Sequence, residues 1–248
     1  MIQTPPRQGV DSTPLPAAAV EPVGIAPAVT QSRQSTRLMV ETMTVLILTV
    51  GLAVVANLAP SIAVVPGLIS LFLPLAYLLV ERRARHRPWA ALGIRRGFVA
   101  GLRATWWLFL LDVVVIQAVS VGLAKAFWPA EIAHVSGRIP SLDDLVVLVP
   151  LILVLTFREE LVYRGLFQER VGWFAGQALA IAGVSVLFAL THIQAGPAAV
   201  VAADLLFVFI DSLFYGVIYQ RTTNVFVSWA AHAGADLVGI ALLTWAAA

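Results

Sequence analysis

The 248 residues contain no cysteine, which excludes a disulfide, a thiolate nucleophile and any Cys-based zinc or redox centre. Charge is almost as scarce. Charged residues make up 12% of the chain, against roughly 25% in an ordinary soluble domain, and lysine occurs only at Lys125. Apolar side chains take their place, at 60% of the composition with a mean hydropathy of +0.89. A soluble globular domain is thereby excluded. The apolar runs repeatedly reach the roughly 20 residues that cross a ~30 Å hydrocarbon layer. They lack the strict alternation over ~10-residue segments that a transmembrane barrel needs. The fold class expected is all-α, a polytopic membrane bundle of about seven transmembrane helices.

Residues 1–34 are rich in Pro, Gln, Ser, Thr and Ala without an apolar period, and read as a disordered tail. Residues 35–248 read as one multi-pass domain. Its apolar stretches fall near 38–57, 61–80, 104–124, 142–168, 174–193, 197–219 and 224–247. Basic residues gather between alternate spans: Arg33 and Arg37 before the first, then Arg82, Arg83, Arg85, Arg87, Arg95, Arg96 and Arg103 after the second. Lys125 and Arg138 follow the third, Arg158, Arg164 and Arg170 lie around the fourth turn, and Arg221 follows the sixth. Such clustering marks topology, not a nucleic-acid partner. The chain is expected in the plasma membrane, and the positive-inside rule predicts a cytoplasmic N-terminus and an external C-terminus. Trp128, Trp173, Trp229 and Trp245 fall near span ends, as interfacial anchors do.

An ionisable group inside a span costs roughly 2.5–3.5 kcal/mol on insertion scales, so each one calls for a reason. The first half has Glu41 and Asp112. The second half has many more: Glu159, Glu160, Arg164, His192, Asp204, Asp211, His232 and Asp236. Adjacent carboxylates on a helix point about 100° apart, so Glu160, four residues before Arg164, is set for an ion pair while Glu159 faces elsewhere. Four-residue spacing likewise puts His232 and Asp236 on one face. Counted at ~1.5 Å per residue from the expected cytoplasmic ends, Glu159, His192, His232 and Asp236 can meet at one level of the bilayer. A carboxylate held there without a fixed counter-charge is suited to take a proton from water, and imidazole N–H groups opposite can hold a developing oxyanion. Glu with two His can equally hold zinc. Spacing alone leaves both chemistries open.

These segments resemble the CPBP family (CAAX protease and bacteriocin-processing), membrane-embedded proteases that include type II CAAX prenyl endopeptidases and bacterial Abi-type proteins. The marks EExxxR, FxxxH and HxxxN/D stand here as Glu159-Glu160-Leu161-Val162-Tyr163-Arg164, Phe188 to His192, and His232 to Asp236. Gly165 and the stretch Gly216 to Thr222 are supporting matches, and the resemblance covers about residues 142–245. It implies an intramembrane endopeptidase, with Glu159 as the catalytic glutamate, His192 positioning water, and His232 and Asp236 polarising the substrate carbonyl. Glu160, Arg164 and Phe188 are implied as structural support. Prenyl-protein members have Asn at the last position, whereas an ionised Asp236 only accepts hydrogen bonds. Asp236 is therefore expected to orient His232, which donates to the oxyanion.

The preferred mechanism needs no metal; the ligands of a zinc ion, if one binds, are expected to be Glu159, His192 and His232. The implied partners are a membrane-embedded or membrane-proximal peptide substrate, cut near the cytoplasmic half of the bilayer, and the lipids themselves. Asp204 and Asp211 share one face of the sixth span. No GxGD, HExxH or GxSG motif accompanies them, so they are expected to line the cavity or bond Ser212 and its neighbours. The competing expectation is a non-hydrolytic protein: a proton-coupled transporter, or an immunity or scaffold protein that keeps the fold.

Overall fold

The computed structural model describes residues 28–136 and 145–247, and among these every regular element is helical. Helix α1 (Ala28–Leu58) turns through Pro60–Ile62 into α2 (Val64–Ala84). A loop with a short turn at Trp89–Leu92 leads to α3 (Phe98–Leu110), which passes through a π-helical turn (Leu111–Ile116) into α4 (Gln117–Phe127). After a short α5 (Pro129–Ser136) comes α6 (Leu145–Val162), a second π-helical turn (Tyr163–Gln168) and α7 (Glu169–Ala175). The chain ends in α8 (Gln177–Leu190), α9 (Ala198–Thr222) and α10 (Val225–Ala247). The expected tail boundary falls inside α1; residues 1–27, and Arg138 in the third loop, lie outside the described residues.

Seven rods run in the expected order, but five of the described helices are long and apolar enough to cross a membrane on their own. The two shortfalls have physical causes. Helix α6 carries Arg158, Glu159 and Glu160 within its 18 residues, and α8, at 14 residues, rises only about 21 Å. Both are held by packing, α6 against α10 and α8 against α9. The expected fourth turn near residue 170 also moves. Glu169 and Arg170 stay helical, and the chain reverses at Gly176, whose φ of 82° suits glycine.

Helix α10 is the central element, packed on α6, α9 and the α3–α4 rod. Its small residues Ala231, Ala233 and Ala235, all buried, let neighbouring backbones come close. One core layer joins α3, α9 and α10 through Leu108, Ile218, Val227 and Ala231. A second joins α1, α2, the second π-helical turn and α8 through Leu46, Leu78, Leu166, Phe167 and Val184. The outer faces are apolar and open, as lipid contact requires; Val146 is 83% exposed and Val64 73%.

One end of the bundle is closed by ions. Buried Glu81 of α2 pairs with Arg170 of α7 and, at 3.3 Å, with Arg87, while Glu41 of α1 pairs with Arg37 at 2.8 Å and Arg85 at 2.7 Å. Arg158, counted from the sequence among the topology-marking cations, has another task. Pro74 lacks the N–H that would bond Ser70 O, and Arg158 Nη2 donates to Ser70 O at 2.8 Å and to Leu71 O at 2.7 Å. The break in α2 and the cation in α6 satisfy one another. Trp229 has a partner inside the bundle as well: it donates to Leu153 O at 2.9 Å.

Candidate functional site

The site begins with the adjacent carboxylates of α6. Their divergence on the helix turns Glu160 into the protein, fully buried, and leaves the Glu159 side chain 24% exposed on a cavity. Arg164, also fully buried, brings Nε to 3.5 Å from Glu160 Oε2. Its Nη2 donates to Ser212 Oγ at 2.7 Å and Ser212 O at 2.9 Å, and its Nη1 to Gln168 Oε1 at 3.3 Å. Gln168 Nε2 in turn donates to Gly216 O at 3.0 Å. This network clamps α9 to the π-helical turn of Tyr163–Gln168. A guanidinium in such surroundings is tolerated only when its donors are used. Both supporting glycines are sites of close approach. A Cβ on Gly165 would lie 2.6 Å from Leu92 O, and one on Gly216 3.0 Å from Gln168 Oε1.

The α6 carboxylates meet α10 at His232. Nδ1 of His232 is 3.0 Å from Glu160 Oε1; a carboxylate oxygen accepts, so Nδ1 carries the proton. The other ring nitrogen, Nε2, is 3.7 Å from Glu159 Oε2 and 3.9 Å from Asp236 Oδ2. The imidazole is held flat against Tyr215, with centroids 4.4 Å apart and planes 17° apart, and meets the Phe188 ring edge-on at 5.7 Å. The expected orienting partner is thus replaced. Glu160 bonds His232, while Asp236, 41% exposed, stands beside Nε2 without a hydrogen bond to it. The i, i+4 spacing brings Asp236 to the same face, but only the packing of α6 on α10 decides which ring nitrogen meets which carboxylate.

His192 sits just beyond the end of α8. Its Nδ1 lies 3.1 Å from Phe188 O; a carbonyl only accepts, so Nδ1–H donates. Glu159, His192, His232 and Asp236, drawn from α6, α8 and α10, line one cavity of about 450 Å³ together with Phe188. Gln117, Asp204, Asp211 and Tyr215 share the lining. The cavity reaches Ala124 near the end of α4, Ile132 and Val135 of α5, and Leu243 near the end of α10. It therefore extends away from the arginine-rich end of the bundle.

Three contributors were given no role from the sequence. Gln117 of α4 donates to Asp211 Oδ1 at 3.1 Å. Asp112, fully buried in the π-helical turn of Leu111–Ile116, is hydrogen-bonded to Asp211. Tyr215 carries the His232 ring. Asp112 is an ionisable residue in a span, which is a signal; Gln117 and Tyr215 had none beyond polarity. Ser212, expected near the α9 aspartates, serves Arg164 instead. Among the described residues no group of three or more His, Asp or Glu side chains is arranged to hold a metal ion. The expected zinc ligands Glu159, His192 and His232 form no such group, and no step is derived through a metal.

Comparison with known proteins places this site in a family context. Residues 141–238 match the family model described as Type II CAAX prenyl endopeptidase Rce1-like, so the resemblance read from the three motifs holds over that segment. At family level the match supports an intramembrane endopeptidase of the CAAX type. The comparison with curated proteins found no match, and neither did that with solved structures.

Proposed function

We propose that this membrane protein hydrolyses a peptide bond of a membrane-embedded or membrane-proximal protein, with Glu159 as general base. The reading rests on one observation: carboxylate and imidazole groups from three helices face a single cavity within a segment that matches a peptidase family. Water positioned beside His192 loses a proton to Glu159 as its oxygen attacks the carbonyl carbon. The carbonyl oxygen becomes an oxyanion beside His232. In its imidazolium form His232 donates from both nitrogens, Nδ1–H to Glu160 and Nε2–H to that oxyanion. Collapse of the tetrahedral intermediate breaks the C–N bond, and the proton on Glu159 passes to the departing amine. Asp236, next to Nε2, supports the positive charge on the ring.

The experiment compares new protein N-termini in membranes from cells carrying the intact chain and cells carrying Glu159→Gln, at matched expression. Termini that vanish in the variant support hydrolysis and report the substrate around the cut. Identical sets from two folded, abundant proteins overturn the reading in favour of a transporter or an immunity protein, and Asp204 and Asp211 become the next residues to change.

A further inference from the structure

The proposed hydrolysis uses Glu159, His192, His232 and Asp236, but leaves much of the cavity unexplained. Its remaining polar wall is acidic. Asp204 and Asp211 line it, and none of the residues around it is Lys or Arg. Gln117 donates to one oxygen of Asp211. Behind Asp211 lies Asp112, fully buried and hydrogen-bonded to the same carboxyl group. Two carboxyl groups in contact, away from water, repel when both are ionised. Sharing one proton leaves the pair a single negative charge, which a cation entering the cavity beside Asp211 would meet.

Position along α9 says what kind of cation fits. Asp204, Asp211 and Tyr215 follow at i, i+7 and i+11, so they share one helix face. Tyr215 marks the level of the reacting groups because the His232 ring lies on it. At about 1.5 Å per residue, Asp211 stands ~6 Å from that level and Asp204 ~16 Å. An extended peptide advances ~3.3 Å per residue. A side chain about two residues from the scissile bond therefore reaches Asp211. The described residues form no cluster of three metal ligands there, whereas a single ammonium or guanidinium on a flexible stem suits two carboxylates spaced along a wall.

We infer that the cavity wall formed by Asp211, Asp204 and Gln117 is a substrate subsite for a Lys or Arg side chain lying within two or three residues of the cleaved bond. The inference rests on the proposed hydrolysis for its register, but the binding itself does not require cleavage. An apolar peptide with a basic residue near its cut is the substrate class it selects. The acidic wall disfavours peptides that place a carboxylate at the same position.

The test uses the full chain in lipid nanodiscs and two fluorescent 12-residue apolar peptides that differ only in Lys or norleucine at the centre. Binding is measured with Glu159→Gln, which cannot turn over, and cleavage with the unsubstituted residue 159. The Lys peptide is expected to bind about tenfold more tightly, and Asp211→Asn to abolish that preference while leaving norleucine-peptide binding unchanged. Asp204→Asn, further from the reacting level, is expected to reduce the preference about threefold. It also provides a second variant should Asp211→Asn fail to fold. Equal binding of the two peptides, or a preference that survives both variants, overturns the subsite. A Lys preference without any cleavage supports the subsite and counts against hydrolysis, so the two failures are distinguishable.

Discussion

At the scale of single residues, the decisive feature is the division of labour between Glu159 and Glu160. Adjacent in sequence, they diverge by about 100° on α6, and one becomes a cavity wall while the other disappears into the protein. Glu159→Gln keeps shape and removes the base, so cleavage of a substrate peptide is expected to fall by about 10²–10⁴-fold with little loss of stability. Glu160→Gln acts at a distance by loosening His232, and kcat is expected to fall about 10–100-fold. Glu160→Ala is different again. It leaves buried Arg164 without its carboxylate, and a thermal melt in detergent is expected to show about 3–5 kcal/mol of lost stability. Because Glu160 and not Asp236 holds Nδ1 of His232, Asp236→Asn is expected to change kcat less than Glu160→Gln does. A larger loss in Asp236→Asn would return the orienting role to Asp236.

At the scale of helices, defects in regular structure are matched across elements. Pro74 opens the hydrogen-bond ladder of α2, and Arg158 of α6 closes it from outside. Arg158→Met strands Ser70 O and is expected to cost about 1–3 kcal/mol in chemical unfolding. In Pro74→Ala the restored N–H serves Ser70 O within the helix, so the same Arg158→Met change is expected to cost at least about 1 kcal/mol less. Equal costs in the two backgrounds would show that the proline and the arginine are independent. The π-helical turns act in a related way. The one at Leu111–Ile116 carries Asp112 to the back of the cavity, and the one at Tyr163–Gln168 brings Arg164 and Gln168 to bear on α9. Wide turns of this kind recur where a helix must present a side chain out of its regular period.

At the scale of the whole molecule, charge asymmetry sets the expected orientation. The ion-paired end formed by α1, α2 and α7 carries most of the arginines, and the cavity extends toward the other end. We propose that the first is cytoplasmic and the second external. The lack of native cysteine makes this directly measurable. A single cysteine at Arg96 is expected to resist a membrane-impermeant maleimide in intact cells, and one at Gln194, in the turn between α8 and α9, to react. The reverse pattern would invert the orientation and with it the side from which substrate reaches Glu159.

Composition and periodicity alone determined that this chain is a helical membrane bundle, because an apolar run has no other way to satisfy its backbone in lipid. The order of the spans and the grouping of Glu159, His192, His232 and Asp236 were legible for the same reason: ionisable residues in apolar helices are few, and helical spacing limits where they point. Two spans read from hydropathy lack the length or apolarity to cross alone, since hydropathy cannot register the packing that holds α6 and α8. Nor could spacing along one helix assign Glu160 to His232, Arg158 to the gap at Pro74, or Asp112 to Asp211. Each of those contacts joins residues far apart in the chain. They depend on the distance and rotation between packed helices, which side-chain interlocking sets and one-dimensional periodicity does not contain.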